Sequence, residues 1–282
     1  LRKRNIVGPP GGSRNLAKNG QIAIIGGGPA GLATALLLGN AGIEVTLFAP
    51  PAARGDTRTS ALMRGAVRLL QAVGVWESLR PRAAPLDRLR LIDATSRLIR
   101  APEVTFDSAE IGGGPFGYNI ANDDLVAAMD KQVSSLAKIR RQEQMVARLE
   151  TGPAAVRLVG ADGEEFETLL AIAADGRHSL CRKAAGIALS GRDYPQAALA
   201  FSIRHALDHG NCSSEFHTPA GPLTFVPMPG RASSVVWVVR PEEAERLLAL
   251  EEEQFCEELR RACFGFLGAL SNPGPRHGNE SQ

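Results

Sequence analysis

The stretch Gln21-Ile-Ala-Ile-Ile-Gly-Gly-Gly-Pro-Ala-Gly31 decides the fold. Its first five residues form a short apolar run, which is typical of a buried parallel strand. The pattern from Ala30 to Ala41 predicts a helix that ends at Gly42, and Glu44-Val-Thr-Leu-Phe48 predicts a second strand. The order strand, helix, strand within about thirty residues predicts a β-α-β unit.

The glycines of this stretch match the pattern G-x-G-x-x-G, placed between a predicted strand and a predicted helix. Gly26 permits a tight turn, Gly28 lets backbone amides approach a pyrophosphate, and Gly31 lets the helix pack on the strand. Pro29 and Ala30 lie at the start of the helix, where the N-terminal partial charge attracts phosphate. The segment therefore predicts a dinucleotide-binding turn, with a chance glycine turn as the weaker alternative.

The acid that usually binds the ribose in such a fold is missing. It would stand at the end of the second strand, where Ala49-Pro50-Pro51 follows instead, and Glu44 lies at the opposite end of that strand. The adenosine ribose must therefore be held by another group.

A second cluster far downstream contains Asp175, Gly176, Ser179 and Arg182, directly after the predicted strand Thr168–Ala173. The strand would deliver the Asp175 carboxylate to a ribose hydroxyl, and Gly176 would avoid a clash with the cofactor. Ser179 can cap the following helix, while Arg182 can neutralise a phosphate or hold Asp175. The alternative is an ordinary turn followed by a capped helix.

Together, these two motifs resemble those of the FAD-dependent aromatic hydroxylases, the group that includes para-hydroxybenzoate hydroxylase. Finer features are similar to the ubiquinone-biosynthesis hydroxylases within that group: Asp56-Thr-Arg-Thr-Ser-Ala-Leu62, Phe116-Gly-Tyr-Asn-Ile120 with Asn122, Gly221-Pro-Leu-Thr-Phe-Val-Pro-Met228 and Ser233-Ser-Val-Val-Trp237. The resemblance covers about residues 21–275. It implies an α/β fold, in which a Rossmann-like FAD-binding domain is interleaved with an antiparallel sheet that forms the floor of an aromatic-substrate pocket.

The resemblance also implies a division of the chain and roles for two more residues. The FAD-binding domain takes 21–84 and 118–190, the substrate domain takes 85–117 and 191–270, and 1–20 and 271–282 are expected to be a disordered basic extension and a disordered tail. Arg58 occupies the family position that contacts the FAD phosphates. Asn122 occupies a polar position near the flavin, although it can equally cap the helix that starts at Asp123.

Further elements follow from the hydrophobic pattern and the turn residues. The predicted helices and strands are helices at 61–72, 123–136 and 241–263, a half-buried antiparallel strand at 86–93, a hairpin of 154–159 with 168–173, and antiparallel strands at 198–203, 223–226 and 234–239.

The activity that the resemblance implies is the hydroxylation of a phenolic ring, such as a ubiquinone precursor, with FAD, NAD(P)H and O2. Association with other ubiquinone-biosynthesis enzymes is part of the same expectation. A nicotinamide-only dehydrogenase is disfavoured by the missing acid at Ala49 and by the motif at 175–182. A flavin halogenase is disfavoured because its Trp-x-Trp-x-Ile-Pro signature is absent from the sequence.

One departure from the family is larger. The third family motif, Gly-Asp-Ala-Ala-His or similar, has no match after Asp175-Gly176. The sequence therefore favours a truncated product that holds FAD weakly and lacks hydroxylase activity. The alternative function is accordingly a non-catalytic remnant of such an enzyme, or another FAD-dependent oxidoreductase.

Composition excludes several other classes of protein. Residues 1–20 carry five basic residues and no acid, so the remainder is slightly acidic and offers no basic face for nucleic acid. The uncharged stretch 19–43 is interrupted by glycines and a proline, which disfavours a transmembrane segment. Four cysteines without a C-x-x-C pair indicate a cytoplasmic protein, with a peripheral membrane location left open.

A zinc site is the competing interpretation of one histidine-rich segment. His205, His209, Cys212 and His217 could in principle provide four ligands. A polar loop between two strands explains the same residues, and we therefore expect no bound metal.

Overall fold

The computed structural model describes residues 17–18, 21–51, 55–192 and 194–280. Its helices are α1 (Pro29–Asn40), α2 (Arg64–Ala72), α3 (Trp76–Leu79), α4 (Asn122–Ser135), α5 (Leu180–Ala184), α6 (Pro241–Leu248) and α7 (Glu252–Ala262). Its strands are β1 (Ala17–Lys18), β2 (Ile22–Ile25), β3 (Val45–Phe48), β4 (Thr59–Met63), β5 (Ala84–Leu86), β6 (Arg88–Asp93), β7 (Val104–Asp107), β8 (Gly117–Ala121), β9 (Ile139–Gln142), β10 (Val146–Thr151), β11 (Val156–Gly160), β12 (Glu165–Thr168), β13 (Leu170–Ala173), β14 (Ala197–His205), β15 (Cys212–His217), β16 (Pro222–Met228), β17 (Ala232–Val239), β18 (Leu270–Ser271) and β19 (His277–Glu280).

The predicted β-α-β unit is confirmed and lies at the centre of a parallel sheet. Strands β2 and β3 pair in parallel, with Ile24 opposite Leu47, and α1 connects them. Strand β13 joins the free side of β2 and β9 joins the free side of β3, both in parallel, so the order is β13-β2-β3-β9. The carboxyl ends of β2, β3 and β13 therefore meet at one edge of the sheet, which is where ligands of such folds bind.

Both faces of the two central strands, β2 and β3, are buried, as is typical of a parallel sheet. Leu32 and Leu36 of α1 share one core cluster with Leu47 of β3 and Met129 of α4. On the opposite face, Phe48 packs against Phe166 of β12, with the ring centroids 4.9 Å apart. This second layer is a four-stranded sheet with the order β1-β12-β11-β10.

The predicted hairpin of 154–159 with 168–173 is only partly right. Strand β11 does turn back through 161–163, but its antiparallel partner is β12, not the whole of 168–173. The chain changes sheets at Leu169, because the N–H groups of Leu169 and Leu170 both donate to the carbonyl oxygen of Gln21. Strand β13 thereby becomes available to pair with β2.

A large sheet is built mainly from the second half of the chain, with the order β18-β14-β17-β16-β15-β6-β7. The antiparallel strands predicted at 198–203, 223–226 and 234–239 are confirmed as β14, β16 and β17. Strand β6 is antiparallel to β7, as predicted, but parallel to β15 on its other side. The division into two domains stays a prediction, although the β6–β7 hairpin does join the sheet of residues after 190.

Helices α6 and α7 cover this large sheet. Phe255 of α7 is fully buried and packs edge-to-face against Phe201 of β14, with a centroid separation of 5.0 Å. The single helical stretch predicted at 241–263 is therefore divided in two, with a break at Ala249 and Leu250.

Three other predictions need correction. The helix predicted at 61–72 begins later, because residues up to Met63 belong to β4, which pairs with β8. The predicted disordered extension 1–20 contains one strand, because Ala17–Lys18 pairs with β12. The other residues of this extension lie outside the described residues. The tail 271–282 is not disordered at His277–Glu280, which pairs with β14. Backbone pairing with a neighbouring strand needs no hydrophobic pattern, so composition alone missed these strands.

Within the described residues, the helices are all too short or too polar to span a bilayer.

We expect Gly31→Ala to lower the free energy of unfolding by about 1–3 kcal/mol. A Cβ at this position would overlap the carbonyl oxygen of Gly26 and lie 3.3 Å from the Cβ of Ala174. Urea unfolding followed by circular dichroism measures the change. Gly65→Ala in α2 is the control, because no described atom lies within 4 Å of a Cβ there, and this variant should be neutral or slightly more stable.

Candidate cofactor-binding site

The glycine turn after β2 is a place where three backbone segments touch. Gly26 has a φ of +116° and donates its N–H to the carbonyl oxygen of Phe48 at 2.9 Å. A Cβ on Gly26 would overlap the carbonyl oxygen of Ala174, at the end of β13. Gly26 and Gly31 are therefore required by the fold itself, whether or not a ligand is bound.

Gly28 has a different reason to be glycine. Its φ of −74° and ψ of 175° suit any residue, and no described atom lies within 4 Å of a Cβ built there. The chain's own folding thus leaves an open space over Gly28, which a side chain would fill. This open space at the glycine turn fits the predicted pyrophosphate contact, which stays a prediction.

The start of helix α1 is suited to an anion. The first intrahelical hydrogen bond runs from the N–H of Leu32 to the carbonyl oxygen of Gly28 at 3.0 Å, and Gly28 provides no side-chain cap. The N–H groups of Ala30 and Gly31 precede that bond and so have no intrahelical acceptor. Pro29 has no N–H of its own and suits the first helical position. These features fit a phosphate group.

Asp175 stands two residues beyond β13 and is held by helix α5. Its Oδ2 accepts a hydrogen bond from the N–H of Cys181 at 3.0 Å. As predicted, Ser179 caps the helix, with its Oγ accepting from the N–H of Arg182 at 2.9 Å. Gly176 has a φ of +77°, a left-handed conformation that favours glycine over other residues.

The electrostatic environment keeps Asp175 ionised. Partial burial alone would raise the pKa of Asp175, but hydrogen bonds from the Ser179 side chain and the Cys181 N–H outweigh it, so the pKa lies below its ordinary value. A carboxylate has about four lone-pair positions, so these contacts leave capacity for a ribose hydroxyl. The arrangement fits the predicted role of Asp175.

A cleft of about 450 Å³ brings the two motifs together. Its lining includes Gly26, Gly28, Asp175 and Gly176, together with residues that sequence analysis missed: Phe48, Pro50, Met145, Val146, His178 and Leu180. Phe48 and Pro50 could have been found from the rule that ligands bind at the carboxyl ends of parallel strands. Val146 begins β10 of another sheet and Met145 directly precedes it, and no local pattern marks them.

A larger hollow of about 690 Å³ lies beside α7, lined by Glu252, Glu253, Glu257 and Arg260 among others. The uncapped start of α7 lies at its wall, but Glu252 and Glu253 stand there and would repel a phosphate, and the lining includes no glycine-rich turn. The smaller cleft is therefore the better candidate for a dinucleotide site.

Arg182 does not hold Asp175. Its Nη1 donates instead to the carbonyl oxygen of Arg177 at 3.0 Å, one turn earlier in the chain. That part of the prediction is wrong, because the cap places the Arg182 backbone near the start of α5 while the side chain turns back to the preceding loop. A phosphate contact by Arg182 stays a prediction.

Arg58 and Asn122 meet at a second cluster, centred on Asp56. Arg58 donates from Nε and Nη2 to the two carboxylate oxygens of Asp56, at 2.8 and 2.9 Å. Asn122 donates from Nδ2 to Asp56 Oδ2 at 3.0 Å and accepts from the Ser60 hydroxyl at 2.6 Å. The Arg58 guanidinium and, to a smaller extent, the Asn122 amide hold the pKa of Asp56 well below its usual range.

This cluster corrects one prediction and leaves another open. Asn122 is the first residue of α4 and Ala121 is its cap, so the capping role of Asn122 is wrong. The side chain is oriented towards Asp56 instead. Arg58 is not among the residues that line the cleft between the motifs, and its side chain is 59% exposed with donors to spare. Its contact with the FAD phosphates stays a prediction.

The zinc interpretation of the histidine segment finds no support in the described residues. Both ring nitrogens of His205 have protein partners, Leu207 O at 2.7 Å and the Ser233 hydroxyl at 3.1 Å. No group of three or more His, Cys, Asp or Glu in that part of the chain is placed to hold a metal ion. The predicted polar loop is also wrong in part, because Cys212–His217 is strand β15.

Comparison with known proteins gives the family. Residues 19–265 match a family described as FAD binding domain. The chain is 34% identical to the ubiquinone hydroxylase UbiL of Rhodospirillum rubrum, over 96% of this chain and 63% of that protein. It is 30% identical to the 3-demethoxyubiquinol 3-hydroxylase of Escherichia coli, over 86% of this chain and 63% of the other.

Solved structures share the fold. The p-nitrophenol 4-monooxygenase PnpA of Pseudomonas putida superposes with a TM-score of 0.71 at 19% identity, covering 93% of this chain and 67% of that one. The flavin-dependent monooxygenase PieE in complex with FAD and substrate gives 0.70 at 17% identity, covering 94% of this chain and 50% of that one.

The chain belongs to the FAD-binding-domain family. The resemblance to FAD-dependent aromatic hydroxylases, and to the ubiquinone-biosynthesis hydroxylases among them, is confirmed. The predicted α/β fold with an FAD-binding domain of the para-hydroxybenzoate hydroxylase type is confirmed as well. The chain spans 63% of the length of each of the two curated relatives named above.

We expect Gly28→Val to weaken FAD binding at least about tenfold while leaving the free energy of unfolding of the apoprotein unchanged. The valine would fill the open space over the turn, where an anion would otherwise approach. Quenching of FAD fluorescence on titration measures the affinity, and urea unfolding measures the stability.

The matched control for this experiment is Gly191→Val. Gly191 lies in a loop outside the cleft, and it too has no described atom within 4 Å of a built Cβ. Equal FAD affinity in wild type and Gly28→Val would show that the cofactor does not lie against this backbone.

Proposed function

We propose that this chain carries the FAD site of a monooxygenase that hydroxylates a phenolic ring, and in particular a ubiquinone precursor, with NAD(P)H and O2. The observation that carries the proposal is the single cleft formed by Gly26–Gly28 and Asp175–Gly176. These segments are distant in sequence, and parallel pairing of β2 with β13 brings them together. The names of the relatives support the substrate class.

Different residues of the site would bind different parts of the cofactor. The backbone at Gly28 and the amides of Ala30 and Gly31 would bind the pyrophosphate, and Asp175 would accept a hydrogen bond from a ribose hydroxyl. Arg58 and Arg182 would neutralise phosphate charge, and Asn122 would orient Arg58 through Asp56. FAD itself, when bound, supplies the redox and oxygen-transfer chemistry. The chain's own residues bind it, orient it and exclude water from it.

The large sheet would form the floor of the ring-binding pocket. Asn119 of β8, which is buried, donates from Nδ2 to the carbonyl oxygen of Pro227 in β16 at 2.9 Å. This bond joins the segments 116–120 and 221–228, two of the segments that carry the resemblance. A strand next to α4 is thereby tied to the sheet, which supports a substrate position between the cofactor and β16.

The same proposal includes a cytoplasmic location at the periphery of a membrane, and association with other enzymes of ubiquinone biosynthesis. Its support is the chemistry of the substrate, because ubiquinone precursors carry a long apolar chain that lies in the bilayer.

We expect Asp175→Asn to weaken FAD binding by about 10- to 100-fold, the equivalent of a charge-assisted hydrogen bond of about 1.5–3 kcal/mol. The asparagine can still accept from the Cys181 N–H, so the free energy of unfolding should change little. Because the pKa of Asp175 is lowered, the wild-type contact should persist at mildly acidic pH and weaken only as the pH falls below the ordinary carboxyl range.

Asp208→Asn is the control for this variant. The Asp208 carboxylate also accepts a backbone N–H, that of Gly210 at 2.7 Å, and lies outside the cleft. Flavin retention on desalting and titration of the apoprotein are the measurements. Undiminished flavin absorbance in Asp175→Asn would remove Asp175 from the site.

A further inference from the structure

The tip of the hairpin formed by β6 and β7 exposes two large aliphatic side chains. Leu98 is fully exposed, with a relative exposure of 101%, and its neighbour Ile99 is 85% exposed. Below the tip, Val104 and Phe106 of β7 are also exposed. Single exposed aliphatic residues are common on proteins, but two adjacent ones at the tip of a hairpin, with two more exposed apolar residues on its second strand, indicate a binding surface.

The loop that presents Leu98 and Ile99 is held in shape by a carboxylate at its base. Asp93 accepts from the N–H of Thr95 at 2.9 Å with Oδ1, and from the N–H of Ala101 at 2.8 Å with Oδ2. The Thr95 side chain and these backbone groups lower the pKa of Asp93 to about 2, so the brace persists at neutral pH. The exposed tip is therefore a built feature and not a frayed turn.

Another exposed apolar side chain lies beside this loop. Phe264 is 57% exposed and has a φ of +55°, a conformation that bulky residues rarely adopt. The guanidinium of Arg100 lies over its ring, 5.7 Å from the centroid. This contact ties the loop to the end of α7, and it is the type of cation–aromatic pair that holds both partners at a surface.

The charged residues of the tip itself are both basic. Arg97 and Arg100 flank the two aliphatic residues, and they are the charged residues in 94–102. The nearest acids in sequence lie outside this segment, where Asp93 braces the base of the loop and Glu103 pairs with Arg90 at 3.8 Å. An apolar point bordered by arginines has the chemistry of an interfacial membrane anchor, in which aliphatic groups enter the acyl region and cations stay with anionic head groups.

We propose that the tip of the β6–β7 hairpin, residues 94–102, docks on a membrane surface that contains anionic lipid, with Leu98 and Ile99 inserted and Arg97 and Arg100 at the head-group level. The inference rests on the proposed function insofar as that function places the substrate in a bilayer. A second copy of the chain is the less favoured binding partner, because a protruding loop tip offers far less area than the roughly 1,200 Å² that a stable protein interface buries.

The test is co-sedimentation of the full chain with vesicles of phosphatidylcholine alone and of phosphatidylcholine with one quarter phosphatidylglycerol. We expect binding to the anionic vesicles and a loss of at least about tenfold in the partition coefficient for Leu98→Ser/Ile99→Ser. Arg97→Gln/Arg100→Gln should lose about fivefold per arginine on anionic vesicles only. Ile187→Ser/Leu189→Ser, which alters another exposed aliphatic pair, should bind like wild type.

A second variant gives a positive signal that does not depend on loss of binding. Trp76 and Trp237 are buried, so Leu98→Trp adds one exposed fluorophore. We expect its emission to shift to shorter wavelength on anionic vesicles and to be quenched by brominated acyl chains.

Three results would overturn the proposal. The first is that the wild type binds neither kind of vesicle, and the second is that Leu98→Ser/Ile99→Ser binds as strongly as the wild type. The third is a drop in the molecular mass of the protein in solution when the tip is mutated, which would indicate that the tip binds a second copy of the chain. All measurements are made without FAD, NAD(P)H or quinone, so failure here is distinct from failure of the cofactor site.

Discussion

The close approach of three backbone segments at Gly26 is the constraint on which the cofactor site depends. The end of β2, the end of β13 and the start of α1 meet there with no room for a Cβ at Gly26 or Gly31. Because the contact is between backbone groups, it positions the α1 N-terminus and the Asp175 loop relative to each other without any long side chain. The cleft is then a consequence of the strand order, and its polar groups are fixed before a ligand arrives.

Two helix N-termini border this cleft and differ in how they are capped. Helix α5 is capped by Ser179, and Asp175 accepts a further backbone N–H at the same end, so its early amides are largely occupied. Helix α1 begins at Pro29, and the preceding Gly28 provides no side-chain cap. The early amides of α1, which have no intrahelical acceptor, and the ionised carboxylate of Asp175 thus provide hydrogen-bond donors and an acceptor at one cleft, which supports the proposed binding of a phosphate and a ribose hydroxyl.

The parts of the structure that sequence analysis predicted are those governed by local pattern. The β-α-β unit, the α4 helix, the Ser179 cap and the meeting of the glycine turn with Asp175 all follow from periodicity, turn residues or motif order. Strand β19 was missed because it pairs with β14, which is distant in sequence, and strand β15 is likewise paired on one side with the distant β6. The Asp56 cluster was missed for a similar reason. The Asn122 side chain could either cap helix α4 or form a hydrogen bond with a residue distant in sequence, and only tertiary contacts determine which of the two occurs.

The structure shows how the end of β3 is stabilised without the acid that usually follows this strand. Ala49 is fully buried, and a Cβ built on Gly27 would lie 2.7 Å from the Cβ of Ala49. The end of β3 therefore packs tightly against the glycine turn. Arg141 of β9 donates to the carbonyl oxygens of Ala49 and Pro50, at 3.3 and 3.0 Å, and pairs with Asp130. The end of β3 is therefore stabilised through its backbone, with no acidic side chain facing the ligand. Among the described residues that line the cleft, Asp175 is the one carboxylate, which supports the proposal that this residue, on the other side of β2 from β3, binds a ribose hydroxyl.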